Sequence, residues 1–174
     1  MLEPVFEKQF IFHTYACRKG KGTHRAIKYV HSKAKSCNYF LKLDVRIYFD
    51  SISQGRLKGL LNRIIKDNEC LRILYDIIDS FKAGLTIGNL TSQFFANYYL
   101  SPLDHYVLEQ LKPAGYVRYM DDIIVFLDSV AELNCEVEKM KRFIKSFGLE
   151  FKAPVINRCK NGVPFLGHLV LIRR

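Results

Sequence analysis

The fold is decided by Tyr116-Val117-Arg118-Tyr119-Met120-Asp121-Asp122-Ile123-Ile124-Val125-Phe126-Leu127. Two runs rich in β-branched and aromatic residues flank Met120-Asp121-Asp122, the pattern of an antiparallel hairpin with an acidic pair at its tight turn. Adjacent carboxylates repel each other and gain nothing from apolar flanks; in solvent they serve as ordinary turn residues. A second stretch, Tyr39 to Phe49 (YFLKLDVRIYF), alternates: Leu41, Leu43, Val45 and Ile47 are apolar, and Lys42, Asp44 and Arg46 fall on the other face. That period of two predicts a strand with one buried face. Asp44 then lies on the open face, either paired with Lys42 or Arg46 or joined to a site. Three carboxylates from two strands suit two divalent cations about 4 Å apart, the arrangement used for in-line phosphoryl transfer. Oxygen ligands without histidine or cysteine point to Mg2+, with Mn2+ as the alternative. The hairpin carries no compensating cluster of lysines, so Asp44, Asp121 and Asp122 are expected to converge at one end of the sheet.

Outward from these strands the pattern turns helical. The loop Arg18-Lys19-Gly20-Lys21-Gly22-Thr23 leads into a helix over about Thr23 to Ala34, with Thr23 as its cap. Its glycines allow close approach to a phosphate, but the GxxxxGK[ST] spacing is absent. After the first strand, Asp50 or Ser51 caps a helix bearing Ile52, Leu57, Leu60, Leu61, Ile64 and Ile65, and a shorter helix covers about Glu69 to Phe81. Gly84 to Gln93 (GLTIGNLTSQ) is a turn-rich loop opening a helix through Phe94, Phe95, Tyr98, Tyr99 and Leu103. Pro102 kinks or restarts that helix, with Ser101 as the cap. The fold class is α/β of the α+β type: an antiparallel sheet drawn from 39–48, 115–119, 123–127, 149–156 and 163–171, with helices packed on one face.

Composition bounds the function. The 174 residues suffice for one domain with a genuine core, and no repeat or linker divides them. No transmembrane span or secretory signal reads out of the sequence. Five cysteines, at 17, 37, 70, 135 and 159, are odd in number and form no CxxC pair, which suits a reducing cytoplasm. The net charge is +10, and the excess is concentrated: Lys8 to Leu43 holds nine basic residues and no acid. Such a stretch is either a solvated face or a surface for a polyanion such as nucleic acid.

Four ordered motifs resemble the reverse transcriptases. Tyr119-Met120-Asp121-Asp122 is similar to the family's YxDD box, FLKLDVRIYFDSI to its first catalytic-aspartate motif, and GVPFLGHLV to its primer-grip hairpin. The segment EPVFEKQFIFHTYACRKGKGTHRAI resembles the block before the palm in bacterial group II intron-like enzymes. Intron and retron enzymes usually show QGxxxSP, whereas Ile87-Gly88-Asn89-Leu90-Thr91-Ser92-Gln93 follows the IGxxxSQ pattern of diversity-generating retroelements.

The resemblance implies an RNA-directed DNA polymerase palm that adds dNTP to a DNA primer 3′-OH on an RNA template, with a retroelement accessory protein as a further partner. Asp44, Asp121 and Asp122 would be catalytic and hold the metals, the Val45 carbonyl adding a ligand. Phe49 would be the steric gate against the ribose 2′-OH, or a core aromatic. Ile87, Gly88, Ser92 and Gln93 would face the nucleotide, Ile87 replacing a usual glutamine or packing under the loop. Arg18, Lys19, Lys21 and Arg25 would follow the template backbone. Tyr119, Met120, Phe165, Leu166 and Gly167 would meet the primer. Lys152 is a general acid toward pyrophosphate or an ordinary surface lysine. The implied organisation is a basic fingers remnant over 1–38 and a palm over 39–174, without the upstream finger motifs or the thumb. A palm so bounded is expected to be weak or inactive alone. The rival readings are a non-catalytic nucleic-acid-binding remnant and an intron-maturase relative.

Overall fold

The two alternating segments build the central sheet of the computed structural model, which describes residues 2–172. The outer limits of the two expected units, residues 1 and 174, lie outside the described residues. In chain order the elements are α1 (Glu3–Glu7), α2 (Thr23–Ser36), β1 (Tyr39–Asp44), α3 (Tyr48–Ser51), α4 (Gln54–Ile64), α5 (Asn68–Asp79), α6 (Leu90–Tyr99) and α7 (Ser101–Tyr106). A π-helical turn, Val107–Leu111, precedes β2 (Gly115–Tyr119), β3 (Asp122–Leu127), α8 (Val130–Lys145) and β4 (Val155–Arg158). A 3-10 turn, Cys159–Asn161, leads to β5 (Val163–Phe165) and β6 (His168–Val170). No helix among the described residues is long and apolar enough to cross a membrane, and the five cysteines are free thiols.

The sheet is antiparallel with order β2-β3-β1-β4. Leu41 and Leu43 of β1, Tyr116 of β2, and Ile123 and Val125 of β3 enter one core, beneath α4 to α8. Phe40, Val117, Ile124 and Phe126 enter a second core, under α2 and the β5–β6 hairpin. Most helices therefore pack on one face, as the patterning predicts; α2 covers part of the other.

Several boundaries differ from expectation. β1 ends at Asp44: Ile47 continues the apolar alternation on paper, but it sits in the left-handed region (φ 44°) and is 63% exposed. The turn around Ile47 thus starts α3, and α4 is capped by Ser53 rather than Asp50 or Ser51, its hydroxyl accepting from Arg56 N. Gly22, not Thr23, occupies the cap of α2. Ser101 caps nothing; its hydroxyl donates to Gln9 O at 2.6 Å. In place of one strand over 149–156, Phe151 makes an isolated bridge to Val45 and β4 begins at Val155. Residues 163–170 form a separate two-stranded sheet because β5 and β6 pair only with each other.

The sheet is tied to its helices by Arg118, whose side chain is fully buried. Its Nε donates to Asp104 Oδ1 at 2.7 Å and its Nη2 to Asp104 Oδ2 at 2.5 Å, a bidentate pair. Nη1 donates to Asn97 Oδ1 at 2.9 Å and to Met120 O at 3.0 Å. Tyr116 and Thr14 hydroxyls complete the shell of Asp104. Burial alone would lower the Arg118 pKa; Asp104's charge and hydrogen bonds outweigh it and hold it above the ordinary value. Removing one partner leaves a buried charge without compensation. Asp104→Ala is therefore expected to lose about 3–5 kcal/mol of stability in urea denaturation.

Candidate active site

The antiparallel register sets the site. Asp44, the last residue of β1, lies directly opposite Asp122, the first of β3, so their side chains share one face as near neighbours. That face also carries Lys42, two residues back along β1. The turn between β2 and β3 consists of Met120 and Asp121, since Tyr119 pairs with Asp122. Met120 has φ 54°, a position in a two-residue hairpin that glycine usually fills. Val45 N meets Asp121 O at 3.4 Å, and Lys152 N donates to Asp44 O at 2.8 Å.

The backbone thus brings Asp44, Val45, Asp121 and Asp122 together, but the expectation that lysines are absent is wrong. Lys42 Nζ donates to Asp122 Oδ2 at 3.3 Å, and Lys152 Nζ stands 2.8 Å from Asp44 Oδ1. Lys42 reaches across the strands to Asp122 rather than along its own strand to Asp44. Among the described residues no three acidic, imidazole or thiol groups are gathered into a ready-made metal cage.

The carboxylates are not solvated turn residues either. Asp121 and Asp122 are half-buried, and burial pushes both pKa values up, with Asp44 adding to the shift. For Asp122, Lys42 and the Leu166 N–H, 3.4 Å from Oδ2, act in the opposite direction. Pairing with Asp44 raises the Lys152 pKa, so Lys152 holds its proton firmly while the pair lasts. Asp122 Oδ1 is buried without a hydrogen-bond donor, and Asp44 Oδ1 has only the Lys152 ammonium beside it, at 2.8 Å. Desolvated, donor-poor carboxylate oxygens are a donor set that fits a hard divalent cation.

The expected nucleotide-side residues are carried by α3, by the loop from Gly84 and by the start of α6. Phe49, in α3, is half-buried and stands edge-on to Tyr48 at 5.8 Å. Gly84 (φ 56°) lies against the backbone of Phe49 and Asp50 so closely that a Cβ would collide with it, and Leu85 N donates to Phe49 O at 2.9 Å. Beyond Gly84 the loop turns outward: Ile87 is 75% exposed, so it does not pack under the loop. Gly88 has φ 98° and is exposed. Ser92 is turned inward from the first turns of α6, buried and with its hydroxyl unpartnered. Gln93 is half-buried, and its Oε1 accepts from Cys17 Sγ at 3.1 Å.

Of the basic residues, Arg18 is turned inward. It chelates Glu7 and donates to Ile11 O and Thr14 O, so it braces its loop. Lys21 donates to Phe12 O at 2.8 Å, and Arg25 to Gly20 O. Lys19 is exposed. Tyr119 OH receives the Thr23 hydroxyl at 3.4 Å. Leu166 and Gly167 make the β5–β6 turn, both with positive φ (51° and 77°), above buried Phe165. The sequence reading misses Arg118, Asp104 and Asn97; the signal for them is an arginine placed within the apolar run of β2.

Residues 1–170 match the family model for reverse transcriptase (RNA-dependent DNA polymerase). The Group II intron-encoded protein LtrA of Lactococcus lactis subsp. cremoris is 27% identical over 166 residues, covering 90% of this chain and 27% of LtrA. The Retron Ec73 reverse transcriptase of Escherichia coli is 28% identical over 136 residues, covering 71% of this chain and 43% of the retron enzyme. An uncharacterized 91 kDa protein in the cob intron of Schizosaccharomyces pombe is 28% identical over 127 residues, which is 64% of this chain and 15% of the yeast protein. The chain thus spans less than half the length of each of these relatives. Among solved structures, apo telomerase from Candida tropicalis truncated from its C-terminal domain superposes with a TM-score of 0.67 at 14% identity, over 84% of this chain and 36% of that telomerase chain. That likeness concerns the fold.

Lys152 is more exposed than Lys42 (side chains 56% and 24%) and holds Asp44 only at its tip. Removing its positive charge leaves the three carboxylates less neutralised. Lys152→Met is therefore expected to tighten Mn2+ binding about two- to fivefold in an EPR titration; weakened or unchanged binding would show that Lys152 does not compete with the cation.

Proposed function

The chain belongs to the reverse transcriptase (RNA-dependent DNA polymerase) family, and on that premise we propose that it is the palm of an RNA-directed DNA polymerase, with a fingers remnant over 1–38 and the palm over 39–174. The carrying observation is the pairing of Asp44 with Asp122 beside the Asp121 turn. The reaction is attack of a DNA primer 3′-hydroxyl on the α-phosphate of a dNTP, releasing pyrophosphate. Divalent cations, Mg2+ or Mn2+, when bound would activate the hydroxyl and offset charge on the leaving group. Asp44, Asp121 and the Val45 carbonyl would hold them, with Asp122 giving its free Oδ1.

The other residues position the reactants. Phe49 would exclude the ribose 2′-hydroxyl, Gly88 admit the nucleotide, and Gln93, anchored by Cys17, face it; Ser92 would support that helix turn from inside. The Phe165-Leu166-Gly167 turn would carry the primer end, with Tyr119 and Met120 against the strand. Lys19, Lys21 and Arg25 would follow the template backbone, with Arg18 shaping the loop. Lys152 would carry a proton toward pyrophosphate once freed from Asp44. Positioning supplies much of the rate in phosphoryl transfer.

The IGxxxSQ motif favours a diversity-generating retroelement in the cytoplasm, acting with an accessory protein. Similarity to an intron-encoded protein favours the second reading, an intron-maturase type. A template and variable repeat pair beside the gene selects the first.

The test uses the native protein that carries this chain, with an RNA template, DNA primer, dNTPs and Mg2+. Asp121→Asn is expected to slow extension at least about a hundredfold while duplex binding persists. Extension at the unmodified rate would end the catalytic reading. A second prediction concerns copying accuracy. An exposed Ile87 has no hydrogen bond to give the nucleotide, whereas glutamine has one, worth roughly 1 kcal/mol. Ile87→Gln is expected to misincorporate several-fold less on one RNA template in a gap-filling assay; equal error rates would remove Ile87 from nucleotide selection.

A further inference from the structure

Phe12 is the one residue of its segment that turns outward. Phe10, Ile11, Thr14 and Tyr15 around it are buried, while Phe12 is 70% exposed. An isolated exposed aromatic is unremarkable in itself, but this ring is held in place. Lys21 Nζ stands 3.4 Å from its centroid, and the same ammonium donates to Phe12 O at 2.8 Å. His13 meets its edge at 5.1 Å and 86°, and His13 in turn lies over Tyr29 at 4.2 Å. One face of Phe12 thus carries a cation.

The surroundings narrow the ligand. A protein partner would want contiguous apolar surface, and the apolar neighbours of Phe12 face inward. The chain from Lys8 to Leu43 has no acidic residue. Lys21 and Lys33 both act on His13, and with burial, the larger cause, they lower its pKa, which favours the neutral ring. His13 Nδ1 is buried and has no hydrogen-bond partner. The segment is also fixed to the palm sheet: Arg118 N donates to His13 O and Tyr15 N to Arg118 O, both at 3.0 Å, and Thr14 bridges Arg118 in parallel. Phe12 lies in the turn just before that bridge, where Thr14 N meets Ile11 O at 3.4 Å.

We propose that the open face of Phe12, backed by the Lys21 ammonium, is a stacking platform for one unpaired base of bound single-stranded RNA. An ammonium over one face makes the ring a better partner for an electron-rich base on the other, and base–aromatic stacking tolerates any sequence. The inference rests on the polymerase reading for its ligand class but not on the carboxylates, since it concerns binding without catalysis.

The test measures binding of the native protein to a short single-stranded RNA in EDTA, by fluorescence anisotropy. 2-Aminopurine is placed at each position in turn to report stacking by its quenching. Phe12→Ala is expected to weaken binding about 5- to 100-fold and abolish the quench at one position. The slope of log affinity against log salt should stay unchanged, because no phosphate contact is lost. Phe12→Trp is expected to restore both affinity and quench, and Phe12→Leu neither. Retained affinity in Phe12→Ala, or full rescue by Phe12→Leu, would overturn the platform. The polymerase reading fails by a different sign, unimpaired extension by Asp121→Asn, so the two failures are distinguishable.

Discussion

Arg118 is a fully buried guanidinium in the middle of a strand, and almost everything at the site end of the molecule is hung from it. Through Asp104 it holds α7, through Asn97 it holds α6, and through Met120 O it holds the acidic turn. Its backbone pairs with His13 and Tyr15, so the basic N-terminal segment is fastened at the same point. A buried ion pair contributes little net stability compared with apolar residues of the same shape. What it adds here is register. A one-residue slip of β2 would turn Arg118 toward the α2 face, where Val117 and Tyr119 now lie, and strand the charge among Val30, Phe40 and Ile124 without a partner.

The same register determines the electrostatics of the carboxylate end. The second core fills the α2 face of the sheet with Phe40, Ile124 and Phe126, then stops; the next side chains on that face are Lys42, Asp44 and Asp122. Three carboxylates at the edge of a low-dielectric core repel one another, and their desolvation is visible in the raised pKa values of Asp121 and Asp122. Two lysines reduce that repulsion, in different ways. Lys42 is carried by the sheet itself and stays with Asp122, whereas Lys152 reaches Asp44 from an irregular segment and is largely exposed. The first pairing is part of the scaffold, and the second leaves its carboxylate open to exchange of one cation for another.

Much of this was legible in the residues because period-two patterns survive where one face is buried. β1, the acidic hairpin and the α+β class follow from alternation and from turn chemistry alone. The end of β1 did not, because Ile47 continues an apolar alternation that the chain itself abandons for a left-handed turn. α8 is equally legible, since Leu133, Val137, Met140 and Ile144 form a regular stripe with charged residues on the other face, but the reading of the sequence does not include it. The lysine partners of the aspartates were hidden for another reason. Lys42 meets Asp122 only across a strand pair, and Lys152 meets Asp44 only after more than a hundred residues of intervening chain have folded. The inward turn of Arg18 is of the same kind: basic composition is read easily, but which cation braces its own loop depends on Glu7 and on two carbonyl groups.

Backbone strain follows the same geography. Among the described residues, five that are not glycine have positive φ, and three of them, Ile47, Met120 and Leu166, sit on the turns that frame the carboxylates. Each costs on the order of 1 kcal/mol or more, and such conformations persist only when their surroundings over-determine them. Met120 has its carbonyl held by Arg118, and Leu166 has its N–H directed at Asp122. Ile47 has Arg46 N bonded to Glu150 O before it and α3 after it. Relaxing any of these turns would release local strain but move the carboxylate or the hairpin attached to it. The buried arginine therefore sustains two things at once, a register that sets Asp44 opposite Asp122 and a turn conformation that methionine would not adopt unaided.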